Sequence, residues 1–173
     1  MSNHKNKVED KQNYGVCVID IGSPRLGNIG WSLIDGQTEK EWSGDQLDQL
    51  FPLIPEILDR QGLLLGLEAP LFVPLRSNLL HATKARKGEE RRPWSAGAGA
   101  QVLAMNLPIM VYIVEKFMDY GQEPLFLLEE EKFFGSPKQV LIFEALVSGS
   151  DKGESHIADA QIMAKYCHQF SKN

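Results

Sequence analysis

Cysteine is scarce in this 173-residue chain, and the two present, Cys17 and Cys167, sit in apolar patterns near opposite ends without zinc-ligand or disulfide spacing. Both therefore read as core thiols. Long apolar runs are missing as well, and no window approaches what a membrane span needs. The opening MSNHKNKVEDKQN is polar and of mixed charge, without the apolar core of a secretory signal. It predicts a frayed tail over 1–13, a single domain over 14–173, a cytoplasmic location and no membrane partner. Positive charge is also in deficit. A net charge of −5 speaks against a protein that coats nucleic acid by neutralising phosphates. AGAGA at 96–100 lacks the Lys-Ser/Thr of a P-loop and the strand-to-helix setting of a dinucleotide fingerprint, which leaves close helix packing as its use.

What remains suits a globular domain with a substantial core: 43% hydrophobic and 24% charged residues. The chain is organised around VCVIDIGSPRLGNIGWSLID at 16–35, where Asp20 interrupts an apolar run. Burying that carboxylate without a cation or donors would forfeit several kcal/mol of hydration. Residues 14–21 and 28–34 predict two strands joined through Gly22, Gly27 and Gly30, and Asp35-Gly36 turns the chain into a third strand over 38–43. Leu47, Leu50, Phe51, Ile54 and Leu58 recur at helical spacing within 45–60, with Ser43 or Asp45 as cap, Gly62 as stop, and Pro52 and Pro55 making the first turns irregular. A short buried strand over 63–67 ends in Glu68-Ala69-Pro70. A loop with a short helix around 78–86 follows. A long helix from about 97 to 121 should be kinked or divided by Pro108. The segment 124–134 fits strand or helix, 139–147 is a strand containing Glu144, and 154–170 is a helix whose stripe of Ile157, Ala160, Met163, Ala164, Cys167 and Phe170 packs on the sheet.

Three of these elements deliver a carboxylate: Asp20, Glu68 and, in the first turns of the last helix, Asp159. His156 lies one turn before Asp159 on the same helical face. Three converging acids repel one another, and divalent cations are the usual resolution. Mg²⁺ takes oxygen ligands and keeps waters, and two such ions activate a water and stabilise the leaving oxygen of a phosphodiester. Charge also clusters locally. Arg76, Lys84, Arg86, Lys87, Arg91 and Arg92 against Glu89 and Glu90 give +4 between 76 and 92, so the remainder of a −5 chain carries −9. That basic stretch is either an anion-binding surface bordering Glu68 or a solvated charged segment. Trp94 beside it either stacks on a base or packs beneath the loop.

IDIGSPRLGNIGWSLID, LLLGLEAP and HIADAQIMA together resemble the ribonuclease H-like superfamily, most closely its RuvC-type resolvases and the related nucleases of unassigned role. D-x-G after a strand is shared with sugar kinases and actin-like ATPases, whose second lobe this chain has no room for. E-A-P closing a strand, with A-D-A opening a helix, is more specific. The resemblance spans nearly the whole folded chain. It implies an α/β fold with a mixed sheet of about five strands, the first three antiparallel, and helices on both faces. It implies Asp20, Glu68 and Asp159 as ligands of one or two Mg²⁺ or Mn²⁺ ions, His156 as a ligand or proton-transfer group, and Glu144 as an additional acid of less defined role. The expected activity is metal-dependent hydrolysis of DNA or RNA, structured or branched, by water attack without a covalent intermediate. A homodimer is one assembly it allows. The alternatives are a non-catalytic nucleic-acid-binding scaffold of the same fold and a hydrolase of nucleotides or small phosphate esters.

Overall fold

The computed structural model describes residues 13–86, 95, 98–120, 123–145 and 152–171. The tail predicted over 1–13 thus falls almost wholly outside the described residues, as do Lys87, Arg91, Arg92 and Trp94. The strands are β1 (Gly15–Ile21), β2 (Ile29–Ile34), β3 (Glu41–Gly44), β4 (Leu63–Leu67), β5 (Leu125–Leu127) and β6 (Gln139–Glu144), in the order β3-β2-β1-β4-β6-β5. The first three form the expected antiparallel meander, with Asp20 opposite Gly30 and Trp31 opposite Gly44. From β1 outward the other side is parallel, pairing Ile19 with Leu67 and Leu67 with Glu144. Gly27, at φ +69°, turns the chain between β1 and β2 in a backbone region that favours glycine.

The sheet has six strands rather than about five. The sixth is β5, three residues at the edge paired in parallel with β6. A run as short as Leu-Phe-Leu carries no decisive periodicity, so only its partner assigns it.

Helices cover both faces. On one lie α1 (Leu47–Leu50), a 3-10 turn (Phe51–Leu53), α2 (Ile54–Arg60) and α3 (Ala98–Asp119), whose Leu50, Phe51, Ile54, Ile57, Ile113 and Phe117 join the sheet's Ile19, Leu33, Leu65 and Ile142 in the main core. On the other, α4 (His156–Ser171) lays Ala160 and Ala164 against Val16, Val18 and Ile34. Phe170, expected in that stripe, is exposed and packs on Tyr166 instead. Cys17 belongs to the main core and half-buried Cys167 to the second cluster; both are free thiols, as expected.

Local punctuation differs from expectation in several places. The helical run over 47–60 starts after Gln46, which makes no side-chain cap bond, so neither Ser43 nor Asp45 is the cap. The helix expected around 78–86 is a single 3-10 turn (Leu79–His81), where the Asn78 side chain accepts from the Leu80 amide at 2.9 Å. Helix α3 runs undivided through Pro108, because the packing of Ile113 and Phe117 continues beyond it. Its Gly99–Asp119 stretch is long and apolar enough to cross a membrane by length and composition, contrary to the expectation that no such window exists.

Candidate metal centre

Strand alternation places the first two acids. Val16 and Val18 point toward α4, and Asp20 continues that parity to the end of β1. Along β4 the same face carries Leu64 and Gly66 and then, one residue past the strand, Glu68, whose amide still bonds to the Ile19 carbonyl at 2.9 Å. The third acid depends on how closely α4 approaches β2. A Cβ built on Gly30 would lie 2.1 Å from the carbonyl carbon of His156, so only glycine admits the first turn of α4 there. That turn is capped by Ser155, whose hydroxyl accepts from the Ala158 amide at 3.2 Å, and it carries Asp159 over the ends of β1 and β4.

Asp20, Glu68 and Asp159 meet there, each offering a carboxylate oxygen within 4.8 Å of the others. All three are largely sealed from solvent, Asp20 at 4%, Asp159 at 6% and the Glu68 side chain at 10% exposure. His156 Nδ1 sits 2.6 Å from Asp20 Oδ2, and the Gly153 amide donates to Asp159 Oδ1. Lys152 Nζ lies 3.3 Å from Glu68 Oε1 and 3.8 Å from Asp159 Oδ2. Burial, and then the charge of Asp20, push the Glu68 carboxyl up to about 7 despite that lysine. Its Oε2 is buried with no hydrogen-bond partner.

An oxygen-only donor set containing an unpartnered buried carboxylate oxygen fits a hard divalent cation. These three residues could hold one. Asp35, the other buried acid of the opening stretch, shows what a purely structural carboxylate looks like here. It accepts from the Gln37 amide, from Gln61 Nε2 and from Arg60 Nη2 at 2.7–2.9 Å, and these bonds, opposing the effect of burial, hold its carboxyl well below the usual range.

Glu144 does not join the cluster. It shares strand parity with Val140 and Ile142, which face the main core, so it belongs to the opposite face of the sheet from Asp20. There it accepts from the Leu71 and Phe72 amides at 2.7 and 3.3 Å and pairs with Arg86 Nη1 at 2.7 Å. It is a strut fixing the loop that leaves Glu68. Arg86, expected to contact nucleic acid, is the other half of that strut. Arg76 and Lys84 are exposed on the same loop. Lys152 was not singled out from sequence, although it is the sole Lys or Arg between Lys138 and Lys165 and lies just before the His156–Asp159 turn. Comparison of the chain with protein-family models, with curated proteins and with solved structures found no match.

Proposed function

We propose that the chain is a metal-dependent nuclease of ribonuclease H-like fold, hydrolysing phosphodiester bonds of nucleic acid with Mg²⁺ or Mn²⁺ held by Asp20, Glu68 and Asp159. The observation that carries this reading is the meeting of three sealed carboxylates within 4.8 Å, one of them with an unpartnered oxygen. The order of the sheet supports the fold: an antiparallel meander, then parallel strands, with acids at the ends of β1 and β4 and in the first turn of the last helix.

A divalent cation held there supplies Lewis acidity at the attacking water and the leaving oxygen. The chain's residues do the rest. His156, whose Nδ1 meets Asp20 Oδ2, is the imidazole beside the cluster that would take up or hand on the water's proton. Gly22 leaves room beside it, since a Cβ there would lie 3.0 Å from His156 Cε1. Arg76 and Lys84, exposed on the loop that follows Glu68 in the chain, would offer phosphate contacts.

The test is cleavage of branched, duplex, hybrid and single-stranded substrates with and without Mn²⁺. Asp20→Asn and Asp159→Asn are each expected to lower the rate by at least about a hundredfold, on the scale of losing a preorganised charge-stabilising group. Activity absent from every substrate, or surviving both substitutions, overturns the reading. Hydrolysis of a small phosphate ester is the second reading, favoured by the commitment of Arg86 to Glu144, which takes one expected phosphate contact away from a long substrate. A nucleotide and a chromogenic phosphodiester in the same panel separate the two.

A further inference from the structure

One cation beside the carboxylates has no part in the chemistry above. Lys152 Nζ stands 3.3 Å from Glu68 Oε1 and 3.8 Å from Asp159 Oδ2, so the ammonium lies against two of the three proposed ligands. A divalent ion of the Mg²⁺ type draws its oxygens to about 2.1 Å, and an ammonium left against the same oxygens would repel it directly. The two cations want the same position. We propose that Lys152 is a built-in counter-ion of the carboxylate cluster that competes with the divalent ion for Glu68 and Asp159, so that metal uptake requires the ammonium to withdraw. This rests on the metal-centre reading above.

Two observations carry it beyond proximity. The Lys152 side chain is 49% exposed on a flexible four-carbon stem, so withdrawal into solvent breaks no packing that a rigid group would have to give up. The lysine also leaves the cluster incomplete, because it meets Glu68 at Oε1 while the buried Oε2 has no partner. An ammonium there is a provisional occupant that a better-coordinated cation displaces. His156 differs, since its Nδ1 meets Asp20 and not the Glu68 and Asp159 oxygens that Lys152 contacts. The consequence is a site that is protected from its own like-charge repulsion when stripped of metal, and that binds metal more weakly than its carboxylates alone would.

The experiment is Mn²⁺ titration by calorimetry and by electron paramagnetic resonance on the full chain, together with thermal melts in chelator. It uses wild type, Lys152→Gln, Lys152→Ala, Lys152→Arg and Asp159→Asn. Lys152→Gln and Lys152→Ala should bind Mn²⁺ at least about tenfold more tightly than wild type, roughly the worth of one modest ion-pair competition. Both should melt lower in chelator, while Lys152→Arg stays near wild type. Unchanged or weaker Mn²⁺ binding in the two neutral variants, with Asp159→Asn still losing metal, overturns the competition and leaves the metal centre standing. No Mn²⁺ binding by any of the proteins overturns both.

Discussion

At the scale of single residues, two buried acids with opposite surroundings define what is structural and what is poised. Asp35 is bonded by Arg60, Gln61 and local amides, whereas Glu68 shares its pocket with Asp20 and keeps an unpartnered oxygen. Asp35→Ala should therefore lower stability by roughly 2–4 kcal/mol, taking the buried acceptor from Gln61 and the closest carboxylate from Arg60, and should leave Mn²⁺ affinity unchanged. Glu68 should show the reverse pattern. Its carboxyl is raised in the folded state, so the folded chain holds the proton more tightly than the unfolded chain does. In chelator the stability contribution then falls as pH rises from about 4.5 to about 7. Glu68→Gln removes that slope and should be more stable than wild type near pH ~8 by roughly 1–3 kcal/mol, with the difference vanishing near pH ~4. Urea melts across pH check this. In saturating Mn²⁺ the order inverts, because the variant has lost a ligand.

At the scale of elements, the site depends on one close approach and one strut. Gly30→Ala would force the first turn of α4 away from β2, which moves His156 and Asp159 together. The expected outcome is a loss of about 1–3 kcal/mol, the usual range for overpacking, accompanied by weaker Mn²⁺ binding, both read from melts with and without metal. Glu144→Gln tests the strut. It should lower stability through loss of the Arg86 pair while leaving Mn²⁺ affinity unchanged, whereas a metal-ligand role would cut affinity. Element boundaries were legible where a long stripe or an apolar run closed by turn residues marks them, as in α4, β1 and β4. They were not legible in β5 or around 78–86, where a few residues are assigned by pairing and loop closure rather than by pattern.

For the whole molecule, metal binding should appear as folding stability, because the three proposed ligands come from segments far apart in sequence and converge only when the chain is folded. At about a hundred times its Kd, Mn²⁺ should add about 2.7 kcal/mol, and a chain of this length should melt roughly 5–10 °C higher, reversed by chelator. Differential scanning calorimetry measures it, and an unchanged melting temperature would remove the metal from the account. Helix α3 is the other global feature. Ile113 and Phe117 seat it on the core, while Leu107, Val111 and Met118 remain exposed along the same 22-residue helix.

The sequence alone determined the antiparallel meander, the strands β4 and β6, the helical stretches around 47–60, 98–119 and 156–171 and the candidacy of the three acids, because those rest on local pattern and on an unfavourable charge within an apolar run. It also marked Glu144 as a candidate, since an acid ending a strand looks the same whichever way it points. Only the tertiary structure decided that Asp20 and Glu68 share a face of the sheet while Glu144 and Arg86 brace the loop on the other. Side-chain parity becomes a direction in space only once neighbouring strands are in register. It also decided that Gly30 admits the turn carrying Asp159 and that Lys152 closes on two of the carboxylates. A charge's partner depends on distance in the folded chain, and Lys152 lies 84 residues from the Glu68 it meets.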